Sequence, residues 1–211
     1  MFSVIFDMDG TLLDTQRPYI TAWEWAGEKQ GYKNFGKYIS RVCGMNEMGV
    51  RAFVTERYPE IDIVKFRADV RQYMHDNLVV RFKEGAKELL DYLKARDIKI
   101  ALATGTSRPS AEHHLKEVCI LEMFDVIVCG TEVENGKPAP DVFLKTAELL
   151  GADPVDCFVF EDSENGINAG FAAGMKCIGI EDVAIFSEEA KKRMFCQLDN
   201  LSQAIEIFEK M

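Results

Sequence analysis

The sequence predicts an α/β protein with an open, doubly wound parallel sheet and a helical segment inserted after the first strand. Short apolar runs alternate with amphipathic segments over most of the chain, which is the pattern of strands and helices in such a sheet. One long stretch near the N-terminus breaks this alternation. At 211 residues, the chain is long enough for one large domain or for a core domain that carries a smaller inserted one.

Five apolar runs predict the strands of the sheet. They are rich in Val, Ile and Phe and mostly apolar at successive positions, as expected for strands that are buried on both faces. The runs cover residues 2–6, 98–103, 126–129, 158–160 and 177–180. We therefore expect these five runs to form one parallel sheet.

Amphipathic segments between the runs predict the helices of the core. Apolar residues recur there at the spacing of one helix face. The patterns are formed by Ala86, Leu89, Leu90 and Leu93; by Ala111, Leu115 and Val118; and by Val142, Phe143, Ala147 and Leu150. Gly151 and Gly174 stand where a helix end commonly takes a left-handed residue.

Residues 15–81 show helical patterns and no convincing buried strand. Three apolar faces at helical spacing are Tyr19, Trp23 and Ala26; Met45, Met48, Ala52 and Phe53; and Ile63, Phe66, Val70 and Tyr73 or Met74. We therefore predict a core domain of residues 1–14 and 82–211, and a helical cap of residues 15–81.

The composition argues against two classes of partner. With 25 Lys and Arg against 35 Asp and Glu, the formal net charge is −10, which disfavours nucleic acid and anionic membranes. The six cysteines form no C-x-x-C pair, so buried free thiols are expected. The N-terminus lacks the pattern of a signal peptide, and no stretch approaches the ~18 apolar residues of a membrane span. We expect a soluble, cytoplasmic protein, for which a monomer is compatible with the sequence.

Polar residues follow three of the predicted strands directly. The motifs are Asp7-Met8-Asp9-Gly10-Thr11, Thr104-Gly105-Thr106-Ser107 and Glu161-Asp162-Ser163. In a doubly wound sheet the carboxyl ends of neighbouring strands open on one crevice, where ligands bind. Two unit charges ~4 Å apart repel by about 4 kcal/mol at an effective dielectric constant near 20, so clustered carboxylates require a cation or a shared proton. A hard divalent ion fits, and Mg²⁺ is the usual ion where a phosphate completes the ligand set.

Asp7 and Asp9 lie two residues apart where the first strand becomes a turn. One carboxylate can attack phosphorus to form an aspartyl-phosphate. The other can protonate the leaving oxygen and later accept a proton from water. A plain turn is the alternative for this motif, whereas an EF-hand is excluded because its other ligands are missing from the required positions.

Lys137 and Thr104 are candidates for holding a phosphoryl group. Lys137 offers the cation that an acidic protein needs for this purpose, although a solvated surface lysine is the alternative. A Walker loop is excluded because Pro138 stands where Ser or Thr must bind magnesium. Thr104 and the backbone N–H groups of the loop that begins at Gly105 can donate to phosphoryl oxygens, but Thr104 can equally be a helix N-cap.

Taken together, these segments resemble the haloacid dehalogenase superfamily over essentially the whole chain. The matching motifs, in order, are Asp7-Met8-Asp9-Gly10-Thr11, then Thr104, then Lys137 in Gly-Lys-Pro-x-Pro-Asp, then Glu161-Asp162-Ser163-x-x-Gly166. The resemblance implies a Rossmann-like core with an α-helical cap inserted after the first strand. This agrees with the pattern of runs and helical faces.

The resemblance also implies the roles of the acidic residues. Asp7 is the expected nucleophile and Asp9 the expected acid/base. Mg²⁺ is expected to bind the Asp7 carboxylate, the backbone carbonyl of Asp9 and Asp162, with Glu161 as a helper.

Three further residues are expected to hold the transferring phosphoryl group. Thr104 and Gly105 would bind it, while Lys137 neutralises and orients Asp7. The implied activity is phosphate-ester hydrolysis of a small phosphorylated substrate, which asks mainly for positioning and charge stabilisation.

The branches of the superfamily differ at residues of this sequence. Dehalogenases and phosphonate hydrolases lack the second Asp of the first motif, so Asp9 counts against both. The branch that the chain resembles most includes β-phosphoglucomutase and sugar-phosphate phosphatases. The mutases carry a cap Arg that grips a second phosphate, and the alignment places Glu47 there, with Arg41 or Arg51 as candidates to replace it. The sequence favours a phosphatase, with a phosphohexomutase as the alternative and a catalytically idle phosphate-binding protein as a remote one.

Overall fold

The computed structural model describes residues 2–211, and its centre is a parallel six-stranded sheet. The strands are β1 (Ser3–Phe6), β2 (Ile100–Thr104), β3 (Val126–Cys129), β4 (Cys157–Glu161), β5 (Lys176–Ile180) and β6 (Met194–Leu198). Their order across the sheet is β3-β2-β1-β4-β5-β6, so the direction of winding reverses at β1. The predicted Rossmann-like α/β fold class is confirmed.

Ten α-helices accompany the strands in the described part of the chain. They are α1 (Gln16–Glu28), α2 (Ile39–Val42), α3 (Glu47–Arg57), α4 (Ile63–Asn77), α5 (Ala86–Lys94), α6 (Arg108–Glu117), α7 (Asp141–Leu150), α8 (Glu164–Ala172), α9 (Glu188–Lys191) and α10 (Gln203–Phe208). Helices cover both faces of the sheet, because Val4 and Phe6 of β1 pack in one hydrophobic cluster and Ile5 in another. All four residues of β1 are buried, as predicted.

The register brings the carboxyl ends of the central strands level. Phe6 of β1 lies opposite Leu102 of β2 and Phe160 of β4. The backbone N–H of Asp7 donates to the carbonyl of Phe160 at 3.0 Å, which extends the pairing by one residue. Residues that directly follow these strands therefore meet at one edge of the sheet.

The sixth strand was not predicted from the sequence. In β6 Phe195 and Gln197 are exposed, and the other three residues are only partly buried. This strand lies at the edge of the sheet, so it lacks the continuous apolar run that identified the buried strands.

Residues 22–74, which lie between β1 and α5, supply the buried members of a separate hydrophobic cluster. Trp23, Phe35 and Phe66 are among its fully buried side chains. The predicted faces of α1 and α4 are confirmed, but that of α3 is wrong: Met48 is 66% exposed, and Val50 and Val54 are buried instead. Alternative apolar faces on one short helix cannot be ranked without knowing which neighbours they meet.

The two connections between this segment and the sheet lie side by side. The N–H of Asp14 donates to the carbonyl of Arg81 at 2.9 Å, and Leu13 forms an antiparallel bridge with Phe82. The division into a core and a cap at residues 15 and 81 remains a prediction, and we call residues 15–81 the cap.

The six cysteines are free thiols, as predicted, but burial holds for only four of them: Cys119 is exposed and Cys196 is partly buried, whereas the others are buried. Within residues 2–211, no helix combines the length and the apolar character that a membrane crossing requires.

Candidate active site

A buried ammonium group organises the carboxyl edge of the sheet. Lys137 donates to Asp7 Oδ1 at 2.6 Å, to Glu161 Oε1 at 2.6 Å and to the carbonyl of Ala103 at 3.0 Å. Its side chain is only 1% exposed, so these three oxygens satisfy all three N–H bonds away from water. The sequence alternative of a solvated surface lysine is therefore wrong.

Three carboxylates meet beside this lysine. Asp7, Glu161 and Asp162 each offer an oxygen within 4.8 Å of the other two, and all three residues are buried. Asp162 Oδ1 accepts a long hydrogen bond of 3.4 Å from the Thr11 hydroxyl, while its Oδ2 is buried without a protein partner. One ammonium group does not neutralise three carboxylates, so the cluster can accept a further cation.

The electrostatics of the cluster favour protonation where no further cation is bound. Burial raises the pKa of Asp7 to about 8, although Lys137 opposes the rise. Burial, reinforced by the Glu161 and Asp7 carboxylates, also holds the pKa of Asp162 well above its usual range. Burial alone would lower the pKa of Lys137, but its two carboxylate partners hold it above the ordinary value.

Two glycines of the motifs make room for the carboxylates. Gly10 has a positive φ of 87°, and a Cβ there would overlap Asp162 Oδ2. A Cβ at Gly166 would overlap the carboxylate of Glu161. The tight packing explains why the first and last motifs each contain a glycine at this offset.

Glu161 has both of its oxygens engaged by the protein. Oε1 accepts from Lys137, and Oε2 accepts from the backbone N–H and the hydroxyl of Ser163 at 3.0 and 2.8 Å. This arrangement makes Glu161 a support for Lys137 more than a free ligand for a metal ion.

The carboxylate of Asp9 is not one of the three that meet beside Lys137. Its two oxygens accept from the hydroxyls of Thr15 and Thr106, each at 2.6 Å, and the Gln16 amide donates to its backbone carbonyl at 3.0 Å. Asp9 nevertheless lines the same cleft as Asp7. Thr106 was not among the predicted site residues, although it belongs to the motif that contains Thr104.

Thr104 and Gly105 lie on the core side of the cleft. Thr104 is buried, and its hydroxyl accepts from the N–H of Thr106 at 3.1 Å. This bond curls the loop after β2 around the end of the strand.

The cap provides the opposite wall of the cleft, which has a volume of about 100 Å³. Tyr19, Trp23 and Arg67 line it together with aliphatic residues of α2 and the following loop. Burial, followed by the negative charge of Asp9, raises the pKa of Tyr19 to about 12, so its phenol stays protonated.

Arg67 is the cap cation of this cleft, and the sequence analysis did not identify it. Its Nη2 donates to Glu47 Oε2 at 2.6 Å and its side chain is 12% exposed. Neither expected substitute takes this place: Arg41 is exposed, and Arg51 pairs with Glu47 at 2.8 Å outside the cleft lining. Arg67 lies in a helix far along the cap, so only the packing of α4 brings it to the cleft.

Most of the chain is similar to proteins of one family. The family model described as haloacid dehalogenase-like hydrolase matches residues 4–180. A phosphorylated carbohydrates phosphatase of Thermotoga maritima is 33% identical over 184 residues, which are 84% of this chain and 84% of that protein. A probable pseudouridine-5'-phosphatase of Drosophila melanogaster is 35% identical over 196 residues, which are 88% of this chain and 84% of that protein. The crystal structure of a β-phosphoglucomutase from Clostridium difficile has a TM-score of 0.81 and 25% identity, with coverage of 100% of this chain and 96% of that one.

Proposed function

The chain belongs to the haloacid dehalogenase-like hydrolase family and is a phosphoric monoester hydrolase, and we propose that it is a Mg²⁺-dependent phosphatase of a small phosphorylated metabolite. Sugar phosphates are the first candidates, because a relative of similar length carries the name of a phosphorylated carbohydrates phosphatase. The observation that carries the proposal is the buried contact of Lys137 with Asp7, next to the unpartnered oxygen of Asp162.

Asp7 is the proposed nucleophile. Lys137 holds one oxygen of this carboxylate, and the other attacks phosphorus while the bond from phosphorus to the leaving oxygen breaks. The product is an aspartyl-phosphate on Asp7 and a free alcohol. Thr104 and the N–H of Gly105 are proposed to donate to the phosphoryl oxygens, on which the negative charge is spread.

Asp9 is the proposed acid and base. In its protonated form it donates a proton to the leaving oxygen, and in the second step its carboxylate accepts a proton from the water that attacks the aspartyl-phosphate. The hydroxyls of Thr15 and Thr106 hold both oxygens of Asp9 in the cleft and limit its rotation. The products of the second step are inorganic phosphate and the restored Asp7 carboxylate.

The donor set fits a divalent cation. We propose that the Asp7 and Asp162 carboxylates and the backbone carbonyl of Asp9 would hold Mg²⁺, because Asp162 Oδ2 has no protein partner and a carbonyl oxygen has a second lone pair beside its bond to Gln16. When bound, the ion stabilises negative charge on the phosphoryl group and favours the ionised form of Asp7. Glu161 would act indirectly, through Lys137.

The cap wall supports hydrolysis over a mutase reaction. A phosphohexomutase must hold a second phosphate in the cap, and the cleft cation Arg67 already donates from Nε and Nη2 to the carboxylate of Glu47. This pairing offsets the charge that a second phosphate would need. The likeness to a β-phosphoglucomutase structure makes a phosphohexomutase the second candidate.

A phosphate-release screen tests the proposed function. The purified protein is assayed with sugar phosphates, nucleotides, small phosphorylated acids and an aryl phosphate, each with Mg²⁺ and with EDTA. We expect phosphate release that requires the metal; no release from any compound would contradict the proposal. A hexose phosphate assayed with hexose bisphosphate, with product isomers separated by chromatography, detects a mutase.

Trapping the intermediate tests the role of Asp7 separately. Acid quench during turnover, followed by peptide mass spectrometry, should find phosphate on the peptide that contains Asp7. Turnover without any such adduct, or an adduct on another residue, would remove Asp7 from the nucleophile role.

A further inference from the structure

Residues 43–46 of the cap, which we call the docking loop, lie directly on three glycines of the core. The Asn165 amide donates to the carbonyl of Cys43 at 2.9 Å, which fixes one end of the loop. A Cβ at Gly105 would come within 2.9 Å of the carbonyl of Met45, and one at Gly130 within 3.0 Å of Asn46 Cβ. At these glycines the core presents backbone to the docking loop, and the cap approaches more closely than a side chain there would allow.

Of these three glycines, Gly136 is the one that Asn46 approaches most closely. The three atoms nearest to a Cβ at this position would all belong to Asn46, with Nδ2 at 2.5 Å, Cγ at 2.6 Å and Oδ1 at 3.1 Å. Asn46 is 8% exposed, although it lies in a loop of the cap. Its side chain occupies the space that a side chain at position 136 would need.

Asn46 is held rigidly in this position. Its Oδ1 accepts from the N–H of Gly49 at 2.9 Å, so Asn46 is the N-cap of α3. An N-cap bond fixes the side-chain rotamer, and α3 then starts with Glu47, the partner of Arg67. One residue thus connects the cap wall of the cleft to the core.

On the core side, this contact is next to the lysine that holds Asp7. Gly136 directly precedes Lys137, whose ammonium group lies 2.6 Å from Asp7. A displacement of the docking loop would change the distance between Arg67 on the cap and Asp7 on the core. Catalysis by positioned groups is sensitive to such shifts, since a displacement of about 1 Å can cost ~10²-fold in rate.

We propose that Asn46 is a positioning residue that seats the cap on Gly136 and so sets the distance between the two walls of the cleft. Gly136 serves as its seat because it has no side chain. The effect on turnover rests on the proposed phosphatase function, whereas the seating of the cap does not.

A double-mutant cycle between positions 46 and 136 tests this pairing. Gly136→Ala is made in the natural chain and in Asn46→Gly, because Gly is an accepted N-cap and lacks all three atoms that meet the added methyl group. We expect Gly136→Ala to lower kcat/KM by about 10²-fold beside Asn46. In the Asn46→Gly chain the same substitution should change kcat/KM by no more than about twofold, because the partner that it would displace is absent; about twofold is also the scatter with which the effects of non-interacting sites add.

Backbone amide hydrogen exchange supplies a reading that does not depend on activity. The amides of residues 43–46 should exchange faster in Gly136→Ala than in the natural chain. In the double variant they should exchange at the same rate as in Asn46→Gly alone. Thermal unfolding of each variant verifies that it is folded. Gly49→Ala is the matched control, because a Cβ there keeps ordinary van der Waals distances, 3.4 Å to Met45 Cβ and 3.5 Å to Asn46 Oδ1, and should leave both kcat/KM and amide exchange unchanged.

Equal effects of Gly136→Ala in the two backgrounds would overturn the proposal, and so would natural rates and exchange in Gly136→Ala alone. If the natural chain released phosphate from no substrate, the proposed function would fail, and the exchange measurements would still decide whether Asn46 seats the cap.

Discussion

The core wall and the cap wall of the cleft hold their charged groups in different ways. On the core wall, the side chains of Lys137, Asp7 and Glu161 are at most 4% exposed and their ion pairs measure 2.6 Å. On the cap wall, Arg67 pairs with Glu47, whose side chain is 39% exposed. Water screens the second pair but not the first, so the loss of a partner costs far more on the core wall.

This difference suggests a division of labour between the two walls. Variants of the core wall should affect every substrate alike, because they touch the phosphoryl group that all substrates share. Variants of the cap wall should affect substrates according to their leaving groups. Five variants or conditions, taken from the largest expected effect to the smallest, test that division.

Asp7→Asn should abolish turnover with every substrate, by about 10⁴-fold or more, because an amide cannot form the aspartyl-phosphate. The variant should remain folded, since the substitution conserves size and removes a negative charge from a crowded cluster. Initial rates of phosphate release and thermal unfolding measure both effects. Substantial residual hydrolysis of any one substrate would break the comparison at its strongest point.

Lys137→Met should destabilise the protein by about 3–5 kcal/mol, because it leaves Asp7 and Glu161 buried without their cation. Urea unfolding in EDTA measures the free energy of unfolding. Lys116→Met is the control: its side chain is 62% exposed, and the change should stay within about 0.5 kcal/mol. Similar losses in the two variants would mean that burial does not separate them.

Mg²⁺ should stabilise the protein more at high pH than at low pH. Burial raises the pKa of Asp7 from 3.8 to about 8, so the metal-free protein binds a proton on folding between these values and loses stability as pH rises through this window. The ion competes with that proton. At about a hundred times its Kd it should contribute ~2.7 kcal/mol at saturation of the ionised site.

Thermal unfolding with and without Mg²⁺, at both ends of that pH window, measures the shift in Tm. Asp7→Asn should shrink the metal-dependent shift, whereas Arg67→Met should preserve it. An equal shift at both pH values would contradict the linkage between proton and metal.

Asp9→Asn should slow turnover by about 10²-fold for all substrates while leaving substrate binding largely intact. The amide cannot transfer the proton, but it retains the size of the side chain and one acceptor oxygen for Thr15 or Thr106. Steady-state kinetics separate kcat from KM. A rate like that of the natural chain would assign the proton transfer to another group.

Arg67→Met should lower kcat/KM by about tenfold for substrates with oxygen-rich leaving groups, which lose a charged hydrogen-bond donor. An aryl phosphate should be hydrolysed at nearly the natural rate. Arg71→Met is the matched control, because the Arg71 side chain is 59% exposed and comes no closer than 3.9 Å to Glu47. A uniform loss across substrates would remove the distinction between the walls.

The composition and motifs by themselves determined the fold class and the residues that gather on the core wall. Asp7, Thr104 and Asp162 directly follow or end buried apolar strands, and strand register in a parallel sheet aligns whatever follows the strands. Short local motifs were therefore enough to predict that residues distant in the sequence lie close together. The edge strand β6 was not predicted, because residues exposed at alternate positions interrupt the apolar run that identifies a buried strand.

The residues that form the cap wall, and the orientation of side chains within the site, depend on tertiary packing and could not be predicted from the sequence. Arg67 reaches the cleft, and Arg41 and Arg51 do not, because of the way α4 packs against α1 and α3. The buried face of α3 likewise depends on its neighbours, and the bonds of Asp9 to two threonines depend on loop geometry. The position of a helix depends on how its side chains pack against those of distant segments. Backbone hydrogen bonds fix the register of strands in a sheet, but no such rule lets a single sequence predict how helices pack.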